Sequence, residues 1–452
     1  MFGDLLQKFA EQSPVTVMVH GLLERLLNKD RIDEWFNTTC RVQYTRHILF
    51  SSLVYLMLNV VCRIRNSVHA AYRKSDFIDN SIVAVYSKLK GIETQTSAGI
   101  VVYIAGEAEC IIREIGGTNP PRVSGYKIRV LDGNCIEKTD HRLQVLRETK
   151  AAALPGKALV VFDPETDLVI NVFPCEDSYT QERALLNQVL ETVQLQEIWI
   201  ADRNFCVQDF LHGIHEKKAY FIIRHHQKMP YKSLSDEELI GNSETGAVFE
   251  HRVQISSTRG TTYEARRIMV RLNQSTRKGE TELAIFTNLS KDVVDALKVA
   301  ELYRQRWEIE TAFQKLEKYF YSEINTLGYP KAALFGFCLA LVAFNVYAVV
   351  MAALRSAYPD EAMNDKVSDY YIAEEISATY TGMVIAVEEE EWLVFRNGST
   401  HEVGQLLIDL ALKIELWRFK KNKRGSKKPV KPKTQCVGKP HVSTARLLAG
   451  TG

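Results

Sequence analysis

The sequence predicts an α/β fold (α+β overall), in which a mixed β-sheet is flanked by helices and interrupted by a β-rich insertion. The succession of sequence patterns along the chain predicts it. Apolar residues recur at helical intervals through residues 1–115, and short strand-like and helical segments then alternate from 126 to 224. Strand-like segments separated by Gly, Ser and Thr turns follow as far as 287. Helices predominate again after that point, and the chain ends in a basic tail.

These changes of pattern divide the chain into five predicted parts. They are a helical N-terminal domain (1–117), the first part of an α/β core (118–225), a β-strand insertion subdomain (226–290), the second part of the core (291–356), and a helical C-terminal region with the basic tail (357–452). Basic residues are interleaved through the N-terminal helices, which suits binding of DNA ends. A plain interaction module stays open, since no helix-turn-helix signature is present.

The sequence of the first part of the core predicts five strands and two helices in a particular order. The strands are predicted at 126–131, 158–162, 168–173, 197–201 and 219–224, and the helices at 180–193 and 205–215. Three strands in a meander, then helix, strand, helix and strand, match the ribonuclease-H-like core, in which the first and fourth strands lie side by side. Asp132 and Asp202 end those two strands, so they should meet at one edge of the sheet.

A single helix is predicted over residues 299–320, which contain no Gly or Pro. Its apolar residues follow one face, and Tyr303, Arg306 and Glu310 form a stripe beside them at intervals of three and four. The helix therefore presents a phenol, a guanidinium and a carboxylate on the face adjoining the buried one. Taken alone, this pattern fits an ordinary charged surface helix equally well, and the two aspartates upstream give it significance.

Charge is unevenly distributed. The whole sequence carries +2, but the residues from Arg418 to the end contain eleven Lys or Arg and no acid, which leaves −9 on the first 417 residues. A basic tail on an acidic body indicates a polyanionic partner, and the tail is expected to be flexible without one. The eight cysteines form no Cys-x-x-Cys pair and fit no zinc pattern. Reduced thiols and a cytoplasmic location are therefore expected.

Residues 332–354 are long and apolar enough to cross a membrane, with Asn345 as their only strongly polar side chain. Only one such segment is present, and it directly follows a charged helix. A buried central helix of a large domain is therefore the favoured interpretation, with no membrane partner. The first ten residues lack the charged start and apolar block of a signal peptide.

Asp132, Asp202 and Glu310 are predicted to converge, because two strand ends and a helix packed across the sheet carry them. Three converging carboxylates repel one another and need a cation, and hard oxygen ligands favour Mg²⁺ or Mn²⁺. Two such ions roughly 3.5–4 Å apart can hold a phosphodiester for attack by water or a 3′ hydroxyl. The three residues are thus predicted as catalytic residues and as metal ligands.

These motifs resemble those of bacterial insertion-sequence transposases of the IS-four group, the type with a Tyr-Arg-Glu-Lys helix and an Asp-Asp-Glu (DDE) triad. The resemblance extends from about residue 80 to 350 and includes the β insertion. The helix spacing is specific, whereas Asp-Gly alone is weak. The matching residues are Asp132, Gly133, Ala201, Asp202, Arg203, Asn204, Phe205, Tyr303, Arg306, Trp307, Ile309, Glu310 and Phe313.

The resemblance implies a metal-dependent DNA transposase that binds the terminal inverted repeats of its own element. Such enzymes hydrolyse the DNA at the element ends and join the freed 3′ hydroxyls to target DNA, as dimers that bridge both ends. It also implies two Mg²⁺ or Mn²⁺ ions, double-stranded DNA as partner, and a bacterial, nucleoid-associated location. The residues expected to contact DNA are Tyr303, Arg306, Lys318, Arg203, Trp307 and Lys315, the first two at phosphates near the cleaved end.

Three features depart from the family's pattern. Glu317 stands where the family has Lys, with Lys318 as the nearest substitute, and Asn134 stands where Thr or Ser is usual. The insertion also lacks the Trp on which some members stack a flipped base, which leaves Tyr231, Phe249 or Tyr263, or another end-processing route.

Two alternatives to an active transposase therefore stay open. One is a catalytically inactive DNA-binding protein descended from a transposase, for which Glu317 leaves room. The other is a metal-dependent nuclease on the same core that cleaves DNA without joining it. A membrane protein is a more distant fourth possibility.

Overall fold

The computed structural model of the protein describes residues 2–42, 47–136, 139–276, 279–360, 366–421 and 441–450. The helices are α1 (Asp4–Gln12), α2 (Pro14–Leu26), α3 (Lys29–Thr39), α4 (Phe50–Val61), α5 (Val68–Tyr72), α6 (Ile82–Gly91), α7 (Thr94–Glu114), α8 (Leu186–Thr192), α9 (Gln208–Glu216), α10 (Ala296–Arg304), α11 (Trp307–Tyr319), α12 (Pro330–Ala357), α13 (Asp369–Ala386), α14 (Leu393–Asn397), α15 (Thr400–Leu412) and α16 (Thr444–Leu448). The strands are β1 (Lys127–Cys135), β2 (Ala152–Leu154), β3 (Lys157–Asp163), β4 (Leu168–Cys175), β5 (Glu197–Ala201), β6 (Tyr220–Arg224), β7 (Lys232–Ser233), β8 (Glu238–Ser243), β9 (Gly246–Ser256), β10 (Thr262–Leu272), β11 (Glu282–Thr287) and β12 (His441–Ser443).

The large sheet has the order β4-β3-β1-β5-β6-β11-β10-β9-β7, with β8 also paired to β9. β1 is antiparallel to β3 and parallel to β5, and β5 is parallel to β6. The short turn at residues 164–167 joins β3 and β4 as an antiparallel pair. The first five strands therefore have the ribonuclease-H-like order, and the prediction that the first and fourth core strands are neighbours is confirmed.

Each face of this sheet covers its own apolar cluster, because alternate residues of a strand point to opposite faces. Val130 and Ile200 belong to a large cluster that also contains α12 and the helices of residues 1–115. Leu131 and Ala201 belong to a smaller cluster with α8 and α9. The N-terminal and C-terminal helices thus share one core with the first face of the sheet.

Strand β1 is longer than predicted and continues through Asp132 to Cys135. The reason is that its antiparallel ladder with β3 runs on to the pair Cys135 and Lys157. Its parallel ladder with β5 stops earlier, at the pair Leu131 and Ala201. Asp132 therefore lies within the strand, one residue beyond the end of the parallel ladder.

The strands predicted for residues 226–290 are present, and they extend the core sheet. β11 pairs with β6 in antiparallel fashion, and β10 and β9 follow outward from it. The long β9–β10 hairpin spans eleven residue pairs, from Thr262 and Ser256 to Leu272 and Gly246. The sheet is continuous from the two aspartate-bearing strands to this outer hairpin.

Helix α12 is the apolar segment identified in the sequence, and in the described residues it alone is long and apolar enough to cross a membrane. Within its most apolar stretch, 94% of the residues lie buried inside the protein. Asn345 is fully buried and bonds the backbone of Val169 in β4, accepting from its N–H and donating to its carbonyl at 2.8 Å each. The buried amide thus satisfies both backbone polar groups of one residue on the edge strand.

The end of the chain returns to the body of the protein. β12 pairs in parallel with β2, Tyr179 donates a hydrogen bond to the carbonyl of His441, and Arg446 pairs with Asp177 at 2.7 Å. The expectation of a tail that is flexible from Arg418 onward is therefore wrong for residues 441–450. Residues 422–440, which carry most of the predicted basic tail, lie outside the described residues.

Candidate active site

Asp132 and Asp202 project from the same face of the sheet at neighbouring positions. They continue the alternation of Val130 in β1 and Ile200 in β5, whose side chains face the larger apolar cluster. That face is covered by the helices that follow the insertion. The sheet therefore directs both carboxylates toward α10 and α11.

The helix predicted over residues 299–320 is broken into α10 and α11 at Gln305 and Arg306. Two backbone hydrogen bonds there span three residues instead of the four of an α-helix. The N–H of Arg306 donates to the carbonyl of Tyr303, and the N–H of Glu308 donates to the carbonyl of Gln305, each at 3.0 Å. The sequence contains no helix breaker at this point, so the continuous-helix prediction was wrong for a tertiary reason. The break lets Arg306, only 7% exposed, reach across to the sheet.

Arg306 and Tyr303 connect the three carboxylates. One guanidinium nitrogen (Nη1) of Arg306 donates to Asp132 at 3.1 Å, and the other (Nη2) donates to Glu310 at 2.7 Å. The hydroxyl of Tyr303 donates to Asp202 at 3.3 Å. The third donor of the guanidinium, Nε, is buried with no acceptor. The three predicted catalytic residues therefore gather around one cation and one hydroxyl donor.

Burial and charge alter the ionisation of this group. Burial raises the pKa of Asp132 to about 6, against the opposing charge of Arg306 and the N–H of Gly133, while the charges of Glu310 and Asp202 raise it further. The influence of both other carboxylates places all three in one electrostatic unit. Burial, followed by the charge of Asp202, raises the pKa of Tyr303, so its phenol stays a neutral hydrogen-bond donor.

Among the residues that the structure describes, no three His, Cys, Asp or Glu side chains are spaced to hold one metal ion together. The guanidinium of Arg306 lies between Asp132 and Glu310 instead. The donor set nevertheless fits a divalent cation in its chemistry, since it consists of carboxylate oxygens already arranged around a positive charge. An ion bound there would compete with Arg306 for the oxygens of Asp132 and Glu310.

The remaining residues predicted to contact DNA lie at different distances from this group. Trp307, next to Arg306, is 64% exposed, and Arg203 pairs with Glu280 at 2.9 Å. Lys315 pairs with Asp369 at 3.1 Å, and Lys318 donates to the hydroxyl of Tyr319.

Both lysines line a cavity of about 770 Å³ on the side of α11 that carries Glu308, and Glu310 does not line it. The structure therefore does not bring Lys315 or Lys318 to the three carboxylates, and the expectation that Lys318 substitutes beside Glu310 is not met. Glu317 and Asn134, the two departures from the family pattern, line one small cavity together.

Three nearby residues were not predicted from the sequence. Arg224, at the end of β6, binds Glu280 at 2.7 Å, so that Glu280 links Arg224 and Arg203. The bond from Arg224, ahead of the opposing effect of burial, lowers the pKa of Glu280. Glu182 accepts a hydrogen bond from the side chain of Asn204. None of the three carries a local motif, and only the pairing of β6 and β11 with the core could have indicated Arg224.

The aromatic residues proposed to replace the missing Trp of the insertion differ in exposure. Tyr263 is 8% exposed and stacks on His215 at 4.4 Å, so its ring is already covered. Tyr231 is 37% exposed, and the ring of Phe249 lies under the guanidinium of Arg271 at 4.0 Å. Tyr231 is therefore the most accessible of these rings.

Comparisons with known proteins address this same region. Residues 124–345 match the family model described as the transposase DDE domain. No curated protein matches the sequence. Among solved structures, the cryo-EM structure of the piggyBac transposase synaptic complex with hairpin DNA is similar over 85% of this chain and 89% of that chain, at 9% identity and a TM-score of 0.34. The family match supports a DDE transposase, and Asp132, Asp202 and Glu310 all lie within the matched residues.

Proposed function

We propose that this protein is an insertion-sequence transposase of the IS-four group, which cuts DNA at the ends of its element and joins the 3′ ends to target DNA. The observation that carries the proposal is the convergence of Asp132, Asp202 and Glu310 on Arg306 and Tyr303. This arrangement lies within the residues that match the transposase DDE domain.

In this proposal Asp132, Asp202 and Glu310 hold divalent cations, Mg²⁺ or Mn²⁺. Bound there, such ions lower the pKa of the attacking water or 3′ hydroxyl and neutralise charge on the leaving oxygen. Two ions are proposed, on the resemblance to the family. Asp132 must be ionised to act as a ligand, and its raised pKa of about 6 makes that condition sensitive to pH.

Arg306 has two roles in the proposed reaction. In the free protein its guanidinium neutralises Asp132 and Glu310, at 3.1 Å and 2.7 Å. A DNA phosphate offers the same fork of donors two oxygens in a suitable geometry. Transfer of Arg306 from carboxylates to phosphate would free the ligands as the substrate arrives.

The neighbouring groups also suit a polyanionic substrate. Tyr303 remains a neutral donor beside Asp202 because its pKa is raised. Arg203 and Arg224 share the single carboxylate of Glu280, so this cluster keeps one excess positive charge close to Asp202. Exposed Trp307 provides a flat apolar surface next to Arg306.

We also propose that the protein binds the terminal inverted repeats of its element and that a homodimer bridges both ends. Its proposed location is the bacterial cytoplasm, in association with the nucleoid.

The test uses DNA that carries the sequences flanking this reading frame, with Mg²⁺. The wild-type protein should nick at the element boundary and give joined products on a target plasmid. Glu310→Gln should abolish nicking while DNA binding persists. The matched control is Glu308→Gln, on the same helix but paired with Arg122 on its other side, which should nick normally.

Three outcomes would contradict the proposal in different ways. Undiminished nicking by Glu310→Gln would remove that residue from the mechanism. Nicking without joined products would favour the metal-dependent nuclease. Specific binding by the wild type without any nicking would favour the inactive DNA-binding protein.

A further inference from the structure

Glu182 connects the two backbone segments that carry the aspartates. It begins a 3-10 turn, Glu182–Leu185, before α8. Its carboxylate accepts a hydrogen bond from the side-chain amide of Asn204, two residues after Asp202. The same carboxylate lies against the backbone of Gly133, one residue after Asp132. One side chain thus contacts the residues next to both aspartates.

A side chain at position 133 would displace the carboxylate of Glu182. A Cβ at this position would lie 2.2 Å from Oε1 of Glu182 and 2.6 Å from its Cδ, both of which are inside van der Waals contact. Because successive residues of a strand point to opposite faces, the missing side chain of Gly133 would point away from the face that carries Asp132. Glu182 therefore approaches from behind the aspartates, on the side of α8 and α9.

A second contact fixes the same segment. The Nε of Arg183 donates to the backbone carbonyl of Asn204 at 2.8 Å. Two consecutive residues therefore hold Asn204, one through its side chain and one through its backbone. These contacts hold the turn that follows Asp202, Arg203–Phe205, against β1 at Gly133.

The parallel ladder between β1 and β5 explains why such a connection matters. Its last residue pair is Leu131 and Ala201, so no ladder pairing joins the two strands at Asp132 and Asp202. The two carboxylates repel each other at that point. We infer that Glu182 is a positioning residue, which sets the spacing of Asp132 and Asp202 from the opposite face by holding Asn204 beside Gly133.

The inference rests on the proposed function for its activity readout, and an exchange of the two contacting groups tests it. Asn204→Asp places two carboxylates face to face and should lower nicking on the order of 10²-fold, since small displacements at a reacting site have effects of this size. Glu182→Gln keeps an oxygen acceptor for Asn204 and should lower nicking less than roughly threefold. The double variant Glu182→Gln/Asn204→Asp restores an amide–carboxylate pair and should recover most of the activity.

Two further variants complete the set. Glu182→Ala should lower nicking about as much as Asn204→Asp. Glu191→Ala, in the following helix but exposed, is the matched control and should behave as wild type. Hydrogen exchange at residues 203–205 is the readout independent of catalysis, and it should accelerate in Glu182→Ala and in Asn204→Asp but not in Glu182→Gln.

Two results would overturn the inference. A double variant no better than Asn204→Asp would show that the two side chains do not act as a pair. Loss of activity in Glu182→Gln equal to that in Glu182→Ala would show that the charge itself is needed. If the wild type fails to nick while the exchange pattern appears as expected, the proposed function fails and the positioning contact stands.

Discussion

The three carboxylates reach the site from two regions with different mechanical properties. Asp132 and Asp202 are carried by central strands of a ten-stranded sheet, whose neighbouring segments are buried. Glu310 is carried by a helix that begins after a break, and its side chain is 40% exposed and bonded by Arg306. The sheet side, Asp132 and Asp202, is held by the ladder of β1 with β5 as far as Leu131 and Ala201 and by Glu182 beyond it, whereas on the helix side the carboxylate of Glu310 is bonded by Arg306. This difference indicates that adjustment on binding metal or DNA occurs on the helix side.

The largest expected effect comes from changing the length of one carboxylate side chain on the sheet side and one on the helix side. Asp202→Glu pushes a longer side chain into the fixed sheet side and should lower nicking on the order of 10²-fold or more. Glu310→Asp withdraws its carboxylate by one methylene on the adjustable side and should lower nicking only roughly tenfold. Nicking rates under saturating Mg²⁺ check this. Equal losses in the two variants would refute the assignment of fixed and adjustable sides.

Removal of Arg306 tests the contact that joins the two sides. Arg306→Ala leaves Asp132 and Glu310 without their shared cation and should lower the free energy of unfolding by about 2–4 kcal/mol in metal-free buffer at pH 7.5. Mn²⁺ should restore more stability to this variant than to the wild type, because the ion can take the place of the guanidinium. Urea unfolding with and without Mn²⁺ measures both.

The control for Arg306 is Arg122→Ala, which removes the partner of Glu308 on the other side of α11. This pair is more exposed, so the loss should be below about 1 kcal/mol and indifferent to Mn²⁺. An equal response of the two variants to Mn²⁺ would mean that Arg306 does not occupy the cation position.

The pH dependence of stability tests the ionisation of Asp132 on the sheet side. The pKa of Asp132 is raised to about 6, above its value in an unfolded chain. The folded state therefore binds the proton more tightly. The protonated form stabilises the fold fully below about pH 4, and this contribution is lost as the pH rises to about 6. In metal-free buffer the wild type should lose about 2–3 kcal/mol relative to Asp132→Asn over this range. Parallel curves for the two proteins would contradict the raised pKa.

The smallest expected effects separate the two ends of α11. Trp307→Ala should weaken DNA binding roughly fivefold at fixed salt, because this exposed residue directly follows Arg306 at the start of the helix. Lys318→Ala should weaken it by less than about twofold, since Lys318 lies in the last turn of the helix, near Tyr319 and Tyr370. Fluorescence anisotropy with an end-containing duplex compares them. A larger loss for Lys318→Ala would place the main DNA contact at the far end of the helix.

The parts of the fold that were predictable are those governed by local pattern. The strand at residues 197–201 was predicted with its correct bounds, because its apolar run, residues 198–201, ends at the polar residues 202–204. The strand order followed from the sequence of elements, and the three carboxylates followed from their places on those elements. Local pattern is sufficient where one face of an element is buried along its whole length.

The unpredicted parts depend on contacts distant in sequence. The break at Arg306 has no Gly or Pro, and it coincides with the contact of the guanidinium with Asp132, 174 residues away. Glu182 gave no signal, since a single glutamate at the start of a helix is common. The extension of β1 depends on β3, and β2 depends on a partner almost 300 residues later in the chain. Such contacts have no periodicity that could reveal them.

The docking of residues 441–450 changes how the preceding stretch can behave. The described segments on both sides of residues 422–440 are attached to the rest of the protein: the N–H of Lys421 bonds the carbonyl of Lys366, β12 joins β2, and Arg446 holds Asp177. The seven lysines and arginines between these points are therefore tethered at both ends. A protease cut among them would give two polypeptides that separate in denaturant but co-elute as one species in native buffer.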